Sequence, residues 1–233
     1  TLVFPYMCYG RSDRKDQPRV PITAKLVCEM MEVAGADRYI TMDLHAGQIQ
    51  GFFSIPGDVL SAYHIIKPYL ADLLPDLTNS VILTADLGFA KNGRRYAMGL
   101  DVPLSFIEKR RIDNHDHTEA LNLIGDVKHR DVILIDDEVD TGGSICEAVE
   151  TAKLNGARDV YVAFVHPVLS SNAVKRLTAL PVKQFITTNT IPLSDNQKAA
   201  FGERLKVLSI GPLLGEVIKR TNQSTSVGVM FNE

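Results

Sequence analysis

The most chemically loaded stretch of this chain is VILIDDEVDTGGSI, residues 132–145. An apolar run leads into Asp136, Asp137, Glu138 and Asp140, and Thr141, Gly142, Gly143 and Ser144 follow at once. Carboxylates accept hydrogen bonds from hydroxyls. Glycines let backbone approach a ligand, and the free amides of a strand-to-helix turn attract an anion such as phosphate. The second half of the stretch suits an anion that the first half would repel, so the ligand must satisfy both. A simple capped turn, with Asp140 or Ser144 as N-cap, explains one acid and one hydroxyl. It leaves two adjacent carboxylates at the end of a buried strand, where charge is costly unless it binds something.

Other candidates are more ambiguous when read alone. His45 in DLHAGQ follows an apolar run and stands beside Asp43; a lone His is usually a satisfied structural residue. Asp86 lies in TADLGFAKNGRR. Three basic clusters occur, at residues 11–19, 91–95 and 109–111. Arg11, Asp13, Arg14 and Lys15 read on their own as a solvated turn. Lys109, Arg110 and Arg111 open KRRIDNHDHTEA, which is polar and without apolar period, so a mobile loop is expected. His115 and His117 in that loop are not read as a metal site. Cys146 begins a helix, where a thiol pKa can fall, yet a buried structural role is the better reading. Met30 and Met31 are expected in the core.

The elements that must position these residues alternate. Residues 1–9, 37–44, 80–86, 103–108, 131–137, 159–167, 182–188 and 205–210 read as strands. The three central ones are short and apolar on both faces, as parallel strands covered by helices are. Helices are expected from Pro21 to Gly35, over 58–74 with a disturbance at Pro68, over 145–154, over 172–180 and over 213–220. This alternation predicts an α/β fold with mainly parallel sheets flanked by helices. Ligands in such sheets bind beyond the carboxyl ends of the strands, which is where the charged and small polar residues cluster.

Bulk properties exclude several classes. The chain has 233 residues, 45% hydrophobic and 23% charged, with a net charge of −3. No global basic field is present to hold nucleic acid, and no apolar run approaches the ~20 residues of a membrane span. Cys8, Cys28 and Cys146 are widely spaced without a CxxC, which argues against a disulfide framework and a zinc site and for a reducing, cytoplasmic compartment. TLVFPYM reads as a strand from its first residue, so the chain is expected to lack a leading segment.

A strand ending in two acids, then two residues, then Asp-Thr-x-Gly-Ser/Thr, resembles the signature of the type I phosphoribosyltransferase superfamily. YGRSDRK, PITAKL, AGADRYITMDLHAGQIQGFF, FIEKRR, HPVLS, TNTIP and LSIGPLLGEVIKR resemble, from one end of the chain to the other, the ribose-phosphate pyrophosphokinase family. The resemblance implies two phosphoribosyltransferase-like lobes, the first incomplete. Residues 1–62 would be the remaining part of an N-terminal ATP-side lobe, and 63–233 a C-terminal lobe binding ribose 5-phosphate, its tail free to pack on the first. It implies transfer of the diphosphoryl group of ATP to the 1-hydroxyl of ribose 5-phosphate, giving phosphoribosyl pyrophosphate (PRPP) and AMP, with Mg²⁺ as cofactor and a homo-oligomer, in the family a hexamer.

Carried over by position, Arg11, Ser12, Asp13 and His45 would bind ATP, and His45 and Asp86 the metal. Asp136 and Asp137 would hold the ribose hydroxyls, while Asp140, Thr141, Gly142, Gly143 and Ser144 hold the 5-phosphate. Lys109 and Arg111 would be catalytic. Ser12 stands where the family has Gln, and Phe89 where it has the second glycine of a pair. Those departures motivate an alternative, a catalytically weak or regulatory subunit that assembles with active partners. An ordinary phosphoribosyltransferase consuming PRPP is opposed by the His45 segment.

Overall fold

The computed structural model describes the backbone of residues 1–74, 76–111 and 119–230 and, within these, the side chains of all but residues 109–111, 119–121 and 229. His115 and His117 therefore lie outside the described residues. The chain divides into two units, one formed by Thr1–Ala62 with Ile210–Glu233 and the other by Tyr63–Ser209.

In the first unit, β1 (Leu2–Val3), β2 (Tyr39–Met42) and β3 (Gly57–Leu60) form a parallel sheet in that order. Between β1 and β2 runs α1 (Thr23–Val33). Ala24 and Cys28, one turn apart on α1, are buried with Met7, Tyr39, Ile49 and Phe53 in the core of this unit. The Tyr39 and Phe53 rings stack with centroids 4.0 Å apart. Met31 packs against this cluster, but Met30 is 61% exposed, contrary to expectation: it lies on the opposite face of α1. The expected helix over 58–74 is also corrected at its start. Residues 57–60 pair with β2 in register Tyr39↔Gly57 to Met42↔Leu60, and that pairing satisfies their backbone as strand.

The second unit begins with α2 (Tyr63–Leu73), which runs through Pro68; that residue is on the exposed face, where a missing N–H is tolerated by water. Then come β4 (Ser80–Thr84), α3 (Ala90–Leu100), β5 (Leu104–Arg111), β6 (Glu119–Ile124), β7 (Asp131–Val139), α4 (Gly143–Leu154), β8 (Val160–Pro167), α5 (Ala173–Thr178), β9 (Gln184–Thr188), α6 (Asp195–Phe201) and β10 (Leu205–Leu208). A last helix, α7 (Gly211–Asn222), belongs to the first unit. The sheet order is β10-β9-β8-β7-β4-β5-β6, parallel throughout except for the antiparallel β5–β6 pair.

Helix α3 was not expected, although its buried residues Gly93, Tyr96, Ala97 and Leu100 keep helical spacing. Gly93 is there because α3 lies close on the sheet: a Cβ would come within 2.4 Å of the Thr84 Cγ2. Val81, Leu83, Val132, Leu134, Val162, Phe164 and Phe185 form the core of this unit. Fully burying a side chain such as Phe164 contributes about 1.5–3 kcal/mol. Arg158 donates two hydrogen bonds to the Asp131 carboxylate, at 2.7 and 2.6 Å, and so ties the starts of β7 and β8.

The strand order fixes where a ligand can go. From β4 the chain proceeds outward to β5 and β6, then returns to lay β7 on the other side of β4 and continues to β8. The direction of travel therefore reverses between β4 and β7, a switch point of the kind at which open α/β sheets form a crevice beyond the strand ends.

Candidate functional site

The switch point is lined by the segment singled out from sequence. β7 extends to Val139, two residues beyond the expected end, so Glu138 lies within the strand along with Asp136 and Asp137. Asp136 and Glu138 are register partners of Phe164 and His166 on β8. The backbone N–H of Asp137 donates to the Asp136 Oδ1 at 3.0 Å, and the Asp137 side chain is buried. Burial, then the adjacent Asp137 and the more distant Asp86, hold the Asp136 carboxyl well above the usual carboxylate range. That negative field is what a hydroxyl-bearing or cationic ligand relieves.

The turn that follows has no side-chain cap. Gly142 is the N-cap residue of α4, with φ 77, and as a glycine it offers no side-chain cap. This corrects the capped-turn reading: neither Asp140 nor Ser144 is the cap. Asp140 instead accepts a hydrogen bond from the Ser170 hydroxyl. Gly143 and Ser144 open α4 itself, so the turn proper is shorter than expected, residues 140–142. The result is a 12-residue helix whose start offers backbone N–H groups and the positive end of its dipole. Cys146 is partly buried against the core; burial, with Glu150 adding, pushes its thiol pKa up rather than down. Cys28 is buried too, its thiol pushed up to about 11 by burial and Glu32.

Asp86 follows β4 and is exposed. Its Oδ1 accepts the Phe89 N–H at 2.9 Å, and the Thr84 hydroxyl donates to its carbonyl at 3.0 Å. Phe89 has φ −88, an ordinary right-handed value, so the backbone here does not require a glycine. Lys109 and Arg111 fall in the last residues of β5, in register with Leu121 and Glu119 of β6. Their backbone is thus strand rather than the mobile loop expected; their side chains lie outside the described residues.

In the first unit, β2 leads into Asp43 and His45. Asp43 has φ 34, a conformation that costs a non-glycine residue about 1–3 kcal/mol. Its carboxylate accepts from the Ser61 hydroxyl at 2.9 Å and the Ala62 N–H at 2.5 Å, and its own N–H donates to the Leu60 carbonyl at 2.9 Å. His45 is exposed and lies against Gly10, where a Cβ would be 3.7 Å from the His45 Cβ. Gln48 donates to the Asp13 carboxylate at 2.5 Å. Ser12 is held at both ends, its N–H on the Tyr9 carbonyl and its carbonyl on the Ala24 N–H. The structure therefore brings Arg11, Ser12, Asp13 and His45 into one loop cluster. Sequence reasoning did not single out Gln48, Ser170 or Arg176; HAGQIQ and HPVLS entered only as part of a resemblance, because polar residues on loops carry no periodic signal.

Comparison with known proteins agrees with this geometry. Residues 1–35 match the model of the N-terminal domain of ribose phosphate pyrophosphokinase, and residues 113–232 that of the phosphoribosyl synthetase-associated domain. The chain is 43% identical to the ribose-phosphate pyrophosphokinase of Helicobacter pylori over 231 residues, covering 99% of this chain and 70% of that one. It is 43% identical to the Rhizobium meliloti enzyme over 232 residues, 100% of this chain and 74% of the other. The crystal structure of phosphoribosylpyrophosphate synthetase from Mycobacterium smegmatis superposes with a TM-score of 0.88 at 37% identity, over 95% of this chain and 71% of that one. With such identity along its whole length, an α/β fold in common and an acid pair ahead of an uncapped helix start, the chain belongs to the ribose-phosphate pyrophosphokinase family.

Proposed function

We propose that this chain transfers the diphosphoryl group of ATP to the 1-hydroxyl of ribose 5-phosphate, yielding PRPP and AMP, with its residues divided as follows. Asp136 and Asp137 accept hydrogen bonds from the ribose ring hydroxyls. Thr141, Gly142, Gly143 and Ser144 bind the 5-phosphate through backbone amides and hydroxyls, in the turn that Asp140 opens. The spacing between the acid pair and the turn then measures the ligand. Arg11, Ser12, Asp13 and His45 take the nucleotide in the first unit, which would be the ATP-side lobe, and the β4–β7 unit would be the ribose 5-phosphate lobe. The 1-hydroxyl oxygen attacks the β-phosphorus in line; the bond to the α-phosphate oxygen breaks and AMP leaves. Lys109 and Arg111 neutralise charge on the transferred group. No covalent nucleophile is required.

The observation that carries this reading is the acid pair of β7 and the uncapped start of α4 at the switch point of one sheet. The residues also fit Mg²⁺: Asp86, Asp136 and Asp137 are hard oxygen donors, and the raised Asp136 carboxyl reports a negative field that a cation offsets. By the family resemblance, His45 and Asp86 are the candidate metal-binding residues. The bound ion supplies charge neutralisation on the phosphate oxygens of ATP. A homo-oligomer, the family hexamer, and a cytoplasmic location complete the proposal. Three free cysteines suit a reducing compartment. No described helix is long and apolar enough to cross a membrane.

The alternative of a weak or regulatory subunit gains no support: the relatives matched along the whole chain are named ribose-phosphate pyrophosphokinase. The test is AMP formation from ATP by the full-length gene product in the presence of ribose 5-phosphate and Mg²⁺. AMP release that depends on the sugar phosphate is expected; its absence would overturn the reading.

A further inference from the structure

The turn that would hold the 5-phosphate is gripped by a second piece of chain, the hook between β8 and α5. Leu169 N–H donates to the Val139 carbonyl at 2.9 Å, and Ser170 N–H to the Asp140 carbonyl at 3.0 Å. The Ser170 hydroxyl donates to the Asp140 carboxylate. Arg176, one helical turn further on, donates through Nη1 to the Thr141 carbonyl at 3.4 Å. Below the turn, Ala173 and Leu177 of α5 are fully buried, and a Cβ on Gly142 would meet Leu177 at 3.5 Å.

The hook is held in a costly shape. Leu169 and Ser171 both have left-handed backbone, φ 47 and 52, and neither is glycine. Such conformations cost about 1–3 kcal/mol each and persist only where the surroundings over-determine them. Here the contacts that hold it include the two backbone hydrogen bonds to Val139 and Asp140, the Ala173 N–H on the Ser170 carbonyl at 3.0 Å, and burial of the Leu169 side chain in the core. The electrostatics agree. Asp140 carries a carboxylate in the very turn that must accept a phosphate. A carboxylate facing the phosphate would repel it, whereas one engaged by Ser170 becomes a strut. The Arg176 charge is felt at Cys146, in the first turn of α4, where it opposes the burial and the nearby Glu150 that raise that thiol.

We propose that Ser170 is a positioning residue for the phosphate end of the site, acting through Asp140, with Arg176 as an auxiliary cation behind the turn. Asp140 is then a structural strut of the cradle rather than a ligand of the substrate. The inference rests on the functional reading given above.

The experiment compares wild type, Ser170→Ala, Ser170→Thr and Arg176→Met in the full-length protein, measuring KM for ribose 5-phosphate, KM for ATP, kcat and Tm. Losing a hydrogen bond to a charged group predicts a rise of about tenfold in KM for ribose 5-phosphate in Ser170→Ala. KM for ATP should stay within about twofold, since binding of the other substrate does not use this turn. Ser170→Thr, which keeps the hydroxyl, restores the wild-type KM. Arg176→Met, on an exposed helix face, raises the same KM more modestly and covers the case in which Ser170→Ala does not fold. An unchanged KM for ribose 5-phosphate in the folded variants, a parallel rise in both KM values, or failure of threonine to restore binding overturns the inference. If wild type itself shows no sugar-phosphate-dependent AMP formation, the functional reading fails; if wild type is active and the variants match it, only the role of Ser170 and Arg176 fails.

Discussion

The Asp136 carboxylate accepts the backbone N–H of Asp137 at 3.0 Å, so two consecutive acids at the end of one strand are oriented by each other. Burial and that neighbour raise the Asp136 pKa. A folded-state pKa above the unfolded value contributes stability below the unfolded pKa that is lost as pH rises through the folded one. At neutral pH this carboxyl therefore costs the empty protein stability. Asp136→Asn should raise Tm at pH 7 while increasing KM for ribose 5-phosphate by about tenfold or more, the loss expected for a charged hydrogen-bond acceptor. A variant that loses both stability and binding would contradict the assignment.

The turn tests differently at its two glycines. Gly142 has φ 77, and the space around it permits a Cβ in ordinary contact. Gly142→Ala should cost about 1–2 kcal/mol through backbone strain alone, and should weaken ribose 5-phosphate binding. Gly143 has no such φ, and the nearest atom to an added Cβ, Thr141 Oγ1, is at 3.9 Å. Gly143→Ala should leave Tm near that of wild type. Chemical denaturation of the two variants side by side checks the contrast.

The Asp131–Arg158 pair predicts an acid limb in stability. The Arg158 hydrogen bonds hold the Asp131 carboxyl below its ordinary value, against burial. A depressed folded-state pKa gives stability that is present above the unfolded value, about 3.9, and is lost as pH falls through the folded one. Asp131→Asn should be less stable than wild type at pH 7, and the difference should close as pH falls below about 4. Tm measured across that range, with a gap that persists in acid, would count against the pair as its source.

Lys109→Ala should lower kcat by about 10²-fold or more, if its charge acts on the transferred group, with little change in KM for ribose 5-phosphate. Steady-state kinetics in both substrates separates this from loss of binding; a raised KM with kcat intact would place Lys109 in substrate binding instead.

Gln48 donates to Asp13 at 2.5 Å and so joins the loop after β1 to the His45 segment. Gln48→Ala should raise KM for ATP while leaving that for ribose 5-phosphate within about twofold. The reverse pattern would detach this cluster from the nucleotide.

Legibility followed locality. β4, β7 and β8 were readable because a strand buried on both faces is an uninterrupted apolar run. α4 was readable because its apolar spacing follows a glycine pair. β3 was taken for helix because four residues carry too little period to separate the two, and α3 was passed over because glycines and three basic residues masked its buried stripe. The extension of β5 to Arg111 was missed because its antiparallel pairing with β6 supplies backbone hydrogen bonds that a polar sequence does not announce.

The residue types themselves determined that this chain carries an acid pair ahead of an anion-binding turn, on an α/β scaffold. Those are local statements, set by side-chain chemistry and by periods of 2 and 3.6 residues. Only the tertiary structure decided that β4 lies beside β7, which lets Asp86 act on Asp136. It alone decided that Gly142 rather than Asp140 is the N-cap of the helix, and that Ser170, 30 residues away, holds Asp140. Strand order and loop-to-loop hydrogen bonds depend on which surfaces the whole chain can bury together. No local pattern encodes that choice.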